Sequence, residues 1–128
     1  MTQDQRKGAE ADRYGRGCAA SLAEKIGARK SGNGNQYRYE NEQVVIKCAR
    51  GRNRETGVSL HMMETLAAIF GAFEHPGARY RILRPSAKQF RDNMRIRSGG
   101  RPAGKEGLVK RSVFEREGIE VAVVRMQT

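Results

Sequence analysis

The basic segment, residues 79–111, holds most of the net positive charge of this chain. Its 33 residues contain eleven Lys or Arg but only two acidic residues, Asp92 and Glu106, and the whole chain of 128 residues has a formal net charge of +11. Guanidinium and ammonium groups bind phosphate oxygens through charge-assisted hydrogen bonds, and a concentrated positive field attracts polyanions. Together with a sequence pI near 10.4, this pattern predicts nucleic-acid binding. A solvated basic surface without a ligand is the alternative.

The predicted contacts are with the phosphate backbone, because the sequence has many cations and no helix with obvious base-reading residues. Such contacts orient a protein on a duplex without reading its sequence. We expect DNA, duplex or branched, to be preferred over RNA. Three arginines in the loop 50–54 extend the set, since this loop directly follows a strand-like apolar run. The predicted nucleic-acid-binding residues are Arg50, Arg52, Arg54, Arg79, Arg81, Arg84, Lys88, Arg91, Arg95, Arg97, Arg101, Lys105, Lys110 and Arg111.

Other kinds of chemistry have weaker signals. Cys18, Cys48, His61 and His75 could in principle bind zinc, but they lack the close paired spacing of structural zinc motifs. The glycine-rich run 31–35 has neither the lysine nor the hydroxyl of a phosphate-binding P-loop. No serine or cysteine lies in a nucleophile motif such as Gly-x-Ser-x-Gly. We interpret both cysteines as reduced, inert thiols that pack as small core side chains.

Composition and hydropathy predict an intracellular protein. No apolar run approaches the roughly 18 residues that indicate a membrane-spanning helix, and residues 1–7 are polar with no apolar signal region behind them. We therefore expect a cytoplasmic protein with no membrane partner, associated with the nucleoid if it is bacterial. The apolar fraction of 38% is compatible with one domain that has a modest core.

The local patterns predict an α/β fold. Apolar residues at i, i+4 spacing predict helices, alternation predicts strands, and the β-branched run 44–46 is typical of a strand buried on both faces. Ser86 and Gln89 form a capping-box signature at the start of a short helix. The predicted elements are helices over 9–26, 59–74 and 87–94, and strands over 36–40, 44–49, 79–83, 108–114 and 119–126. We expect residues 1–8 to be flexible and 9–128 to form one domain, a mixed sheet flanked by helices with a C-terminal β-hairpin.

The order helix, strand, strand, helix, strand, with Lys47 closing the central apolar strand, resembles the core of the PD-(D/E)xK nuclease superfamily. This group includes restriction enzymes and Holliday-junction resolvases. Its members bind Mg²⁺ through two acidic residues, and a lysine helps to orient or activate the attacking water. The resemblance covers roughly residues 10–84. It implies that Lys47 is the family lysine, that Glu40 is the nearest candidate for the first acid, and that Val45 occupies the second acidic position.

Because Val45 cannot bind a metal, the resemblance leaves catalysis open. Glu42 near the hairpin turn and Glu24 on the first helix are the alternative acids, and Glu40 and Glu42 are Mg²⁺ ligands only if the protein is a nuclease. For Lys47 the alternative is a strand-end lysine whose ammonium reaches solvent.

Our interpretation is a nucleic-acid-binding protein, with DNA favoured, on a nuclease-like scaffold. One alternative is an active Mg²⁺-dependent endonuclease or junction resolvase. Others are an RNA-associated or ribosome-associated structural protein, and an inhibitor or adaptor that binds an acidic protein. A homodimer is compatible with each of them.

Overall fold

The computed structural model describes the backbone of residues 3–51 and 55–126, with the side chains of Glu10 and of residues from Arg13 onward. Within this part of the chain the elements are α1 (Gln3–Ile26), β1 (Arg29–Lys30), β2 (Gln36–Tyr39), β3 (Glu42–Ala49), β4 (Glu55–Ser59), α2 (Leu60–Met63), β5 (Ala68–His75), β6 (Arg79–Arg84), α3 (Ala87–Asn93), β7 (Arg95–Ile96), β8 (Glu106–Lys110), α4 (Arg111–Glu117) and β9 (Ile119–Arg125). The predicted α/β class is confirmed. No described helix is long and apolar enough to cross a membrane.

The larger of the two sheets, the main sheet, has six strands in the order β1-β2-β3-β5-β6-β9. Its central pair, β3 with β5, is parallel, and the other pairs are antiparallel. β2 and β3 form the predicted hairpin, whose turn residues Glu40 and Asn41 have positive φ angles of 49° and 69°, as in a type I′ turn. Val44, Val45 and Ile46 are fully buried because both faces of the sheet are covered, as the β-branched run predicted.

Each face of the main sheet packs on its own hydrophobic core. Helix α1 covers one face, where Leu22 packs with Ile46. The other face is covered by α2, α3, α4 and the small sheet, whose strand order is β4-β8-β7. Phe114 of α4 is fully buried in this second core, in edge-to-face contact with Phe73 and Phe90. The main sheet therefore separates an α1 side from a small-sheet side.

Gly71 in β5 allows the second core to close. A Cβ at this position would lie 2.7 Å from the ring of Phe114, so Gly71→Ala must displace packed atoms. We expect it to lower the free energy of unfolding by about 1–3 kcal/mol. Gly15→Ala is the matched control, because a Cβ on Gly15 in α1 meets no atom within 4 Å, and helix propensity should make it stabilising by about 0.5–1 kcal/mol. Denaturant unfolding measures both, and equal effects would contradict the close contact.

The structure corrects the predicted helix over 59–74. Leu60–Met63 is helical, with Ser59 as its N-cap, but Ala68–His75 is the parallel strand β5. Residues 68–73 are all buried, since β5 lies at the centre of the sheet. A strand covered on both faces shows no alternation, so the spacing of its apolar residues resembles that of a buried helix.

The predicted C-terminal hairpin is also wrong. The chain passes from β8 into helix α4 before it reaches β9, and the two strands belong to different sheets. A tight hairpin turn would need a positive φ, but Gly118, directly before β9, has a φ of −76°. A glycine is needed here for space instead, because a Cβ would lie 2.5 Å from the carbonyl oxygen of Phe114.

The two remaining helix predictions differ in accuracy. Helix α3 and its capping box are confirmed. Helix α1 ends at Ile26 as predicted but begins earlier, at Gln3. Of the segment 1–8 that was predicted to be flexible, Met1 and Thr2 lie outside the described residues, and the division into a flexible N-terminus and a domain stays a prediction.

Candidate nucleic-acid interface

Carboxylates neutralise part of the basic segment. Six of its eleven cations form ion pairs within the described part of the chain. These pairs are Arg81 with Glu120 (2.7 Å), Arg84 with Glu42 (2.5 Å), Lys88 with Asp92 (2.6 Å), Arg95 with Glu55 (2.8 Å), Arg97 with Glu106 (3.0 Å) and Arg111 with Glu115 (2.9 Å). Exposed pairs of this kind add little stability. These pairs nevertheless engage six cations that the sequence alone had suggested were available to bind phosphate.

Two of these pairs organise the small sheet. Arg95 on β7 donates two hydrogen bonds to the carboxylate of Glu55 on β4, at 2.8 and 3.1 Å, and these bonds hold the pKa of Glu55 below its usual value. Arg97 donates to Glu106 on β8. Gly57 makes room for that carboxylate, since a Cβ on Gly57 would lie 1.7 Å from Oε1 of Glu106. The two arginines therefore hold the start of the β7–β8 connection against β4 and β8.

Five exposed cations of the segment have no carboxylate partner among the described residues. One of them, Arg79 on β6, donates to the carbonyl oxygen of Pro76. We call the other four the open cations: Arg91, Arg101, Lys105 and Lys110. Arg91 lies on α3, Arg101 and Lys105 lie in the loop between β7 and β8, and Lys110 ends β8. All three elements belong to the layer that covers the second core. All four open cations therefore lie on the small-sheet side.

Backbone hydrogen bonds hold the loop that carries Arg101 and Lys105. The Gly104 N–H donates to the carbonyl oxygen of Arg97 at 2.8 Å, and the Leu60 N–H donates to that of Lys105 at 3.0 Å. The second bond ties the loop to helix α2. Although its glycine-rich composition predicts a flexible segment, the loop presents its two cations from a hydrogen-bonded turn.

The other predicted contacts lie elsewhere or outside the described residues. Arg79 and Arg81 lie on β6, next to the edge strand β9. Arg50 stacks on Tyr14, with its guanidinium carbon 3.5 Å from the ring centroid, so it belongs to the α1 side. Lys88, exposed on α3 beside Arg91, pairs with an acid of its own helix. Two arginines of the predicted set lie outside the described residues: Arg52 and Arg54.

The residues implied by the nuclease resemblance are not brought together. Lys47 lies in the C-terminal half of β3, on its small-sheet side. Glu42 begins the same strand, five residues and hence about 16 Å away, and it pairs with Arg84. Glu40 lies in the exposed β2–β3 turn, and Glu24 is exposed on α1, across the sheet.

These positions do not fit a Mg²⁺ site. A divalent cation needs several oxygen ligands in one coordination shell, and no group of three or more His, Cys, Asp or Glu side chains among the described residues could hold a metal. Val45, at the second acidic position of the resemblance, is buried in the second core. We therefore derive no metal-dependent step for this chain.

A polar cluster on the α1 side was not predicted. The hydroxyls of Tyr14 and Tyr80 hydrogen-bond to each other, and Tyr80 donates to Glu74 at 3.2 Å. Burial raises the pKa of Tyr14 to about 12 and also raises that of Tyr80, so both are neutral at physiological pH. Cys18 and Cys48 adjoin the two tyrosines. The i, i+4 spacing of Tyr14 and Cys18 predicted a shared helix face, but no sequence signal placed Tyr80 against it.

The fold and the charge distribution define a small mixed α/β protein whose small-sheet side is basic. No protein-family model matches the chain, and no curated protein matches it significantly. Among solved structures it is similar to Archaeoglobus fulgidus Hjc, a Holliday junction resolvase from an archaeal hyperthermophile, with a TM-score of 0.44 and 17% sequence identity, over 88% of this chain and 93% of that chain. No function follows from a similarity of this size.

Proposed function

We propose that the protein binds nucleic acid through phosphate contacts on its small-sheet side. The observation that supports this is the set of four open cations, none of which forms an ion pair with a described carboxylate. Uncompensated ammonium and guanidinium groups on one side of a molecule attract a phosphate backbone and displace its counterions. Arg95 and Arg97, which are engaged in ion pairs, keep β7 and the loop in place and so maintain the spacing of the open cations.

In this proposal the preferred ligand is DNA, duplex or branched. The open cations are spread over a helix, a loop and a strand end, an arrangement that suits a chain of regularly spaced phosphates better than one small anion. Backbone contacts orient a duplex without reading bases, so affinity should depend little on sequence. We propose binding without hydrolysis, because the candidate residues at β3 do not form a metal site.

The salt dependence of binding tests this proposal. If the four open cations and a fifth cation beside them bind phosphates, a plot of log K against log salt on duplex DNA should have a slope of about −4.5. Fluorescence anisotropy across a salt series measures the salt slope of binding. Comparing two unrelated DNA duplexes with a single-stranded RNA measures the preference for DNA over RNA. A slope shallower than about −2, or tighter binding to the RNA, would contradict the proposal. Mg²⁺-dependent nicking of a plasmid that Lys47→Ala abolishes would overturn binding without hydrolysis.

A further inference from the structure

The fold places the two cysteines of the chain against each other. Cys18 lies on the sheet-facing side of α1, and Cys48 lies on β3, on the face that α1 covers. The two side chains are close enough for each thiol to shift the pKa of the other, and both are free. Thirty positions separate them along the chain, so their sequence spacing alone predicted no such contact.

A surface groove gives small molecules access to this pair. The groove has a volume of about 350 Å³, and Cys18 lines it together with Tyr14, Glu74 and Tyr80. Because Cys18 is only 6% exposed, a bulky reagent cannot surround its sulfur. Hydrogen peroxide is little larger than water, and the groove is large enough to admit it beside Cys18. Cys48 is partly buried beside it.

The surroundings shift the pKa values of the two thiols in opposite directions. A hydrogen bond with Cys48 lowers the pKa of Cys18, with help from the hydroxyls of Tyr80 and Tyr14 and against the effect of burial. The same hydrogen bond, followed by burial, raises the pKa of Cys48. Cys18 therefore has the larger thiolate fraction, and the thiolate is the nucleophilic form of cysteine.

We propose that Cys18 and Cys48 are an oxidation site, at which a hydroperoxide converts the two thiols into a disulfide that joins α1 to β3. The Cys18 thiolate attacks one oxygen of hydrogen peroxide, the O–O bond breaks, and the departing hydroxide takes up a proton to become water. Cys18 is then a sulfenic acid. The Cys48 sulfur attacks the Cys18 sulfur, the S–S bond forms as the S–O bond breaks, and the second hydroxide leaves as water with the Cys48 proton. Two thiols are oxidised and one peroxide is reduced to two waters.

Formation of the Cys18–Cys48 disulfide requires a small movement of the two side chains. An S–S bond is about 2.0 Å long, shorter than any non-bonded contact between two sulfurs, so the two side chains must move together before it forms. The bond also restricts the unfolded chain by closing the loop from residue 18 to residue 48. We therefore expect the oxidised protein to unfold at a higher temperature than the reduced protein.

Mass spectrometry of the full chain tests the proposal. After treatment with hydrogen peroxide, the protein should lose the mass of two hydrogen atoms, resist alkylation at both cysteines and regain its original mass with dithiothreitol. Peptide mapping should find Cys18 linked to Cys48. Two thiols that remain open to alkylation after unfolding, or disulfides formed between two chains, would overturn the proposal.

Two serine variants test the order of the steps, since serine keeps a hydrogen-bond donor at either position. Cys48→Ser should stop at the sulfenic acid on Cys18, which a dimedone probe labels. Cys18→Ser should be labelled several-fold less under the same conditions. Equal labelling would overturn the assignment of Cys18 as the attacking thiol. The mass measurement on the unaltered chain needs no variant, so the proposal stays testable if a serine variant fails to fold.

Discussion

Replacing the four open cations together by Gln should weaken binding to duplex DNA by at least about 100-fold at 0.1 M salt and make the salt slope shallower by about 3 to 4, because each lost phosphate contact removes the release of about one counterion. The loss should be similar on unrelated sequences, since phosphate contacts carry no base information. Fluorescence anisotropy across a salt series measures both quantities. Unchanged affinity and slope would show that the open cations do not bind the backbone.

A charge-matched control separates position from net charge. The variant changes four exposed cations on α1 and on the α1 side of the edge strand β1: Arg13, Arg16, Lys25 and Lys30, each to Gln. It removes the same formal charge from outside the small-sheet side, so we expect less than about a tenfold loss of affinity from the long-range field alone. If both variants bind equally weakly, the interface lies elsewhere and overall charge governs binding.

Phe114→Ala should lower the free energy of unfolding by about 3–5 kcal/mol, because it deletes a fully buried ring and leaves a cavity. The ring makes edge-to-face contacts with Phe73 and Phe90, at centroid distances of 5.3 and 6.1 Å, which adds to the loss. A change of this size is a large fraction of the stability of an ordinary domain. Urea unfolding followed by circular dichroism measures it.

Ile119→Ala is the control for this prediction. Ile119 begins β9 and is 72% exposed, so its truncation should change the free energy of unfolding by less than about 0.5 kcal/mol. If the two variants cost the same, α4 does not close the second core. Such a result would also count against helix α4 and favour the C-terminal hairpin that the sequence predicted.

Local signals in the sequence predicted the elements that depend on local physics. The capping box of Ser86 and Gln89, the stripe of α1 and the run 44–46 all describe interactions within one element or its immediate burial. The sequence did not predict strand β5, because the residues that bury its two faces come from two other parts of the chain. Phe70 packs toward α1 and Phe73 toward α4, and a spacing of three residues between two phenylalanines is also what a helix would show.

The sequence predicted that the candidate interface is positively charged, but not which of its cations remain unpaired. Counting charges located the basic segment, yet the acids that neutralise Arg81, Arg84 and Arg95 lie about forty positions away along the chain. Only the tertiary structure decides which arginines remain open. The same limit applies to Cys18 and Cys48, whose contact depends on how α1 docks on β3. The carboxylates near Lys47 in sequence are remote in space because an extended strand separates them.

The small sheet is assembled from two separate segments of the chain, which we call excursions because each leaves the main sheet and returns to it. β4 comes between β3 and β5, and β7 with β8 comes between α3 and α4, while Val58 and Val109 of these strands pack in the core beneath the main sheet. Neither excursion has a core of its own. A fragment that carried the open cations alone would lose the support that orders them, so this layer cannot be transplanted as a module. Because both excursions return to the same scaffold, however, their exposed residues can be exchanged independently of the main sheet, which makes this layer the natural place to redesign ligand preference.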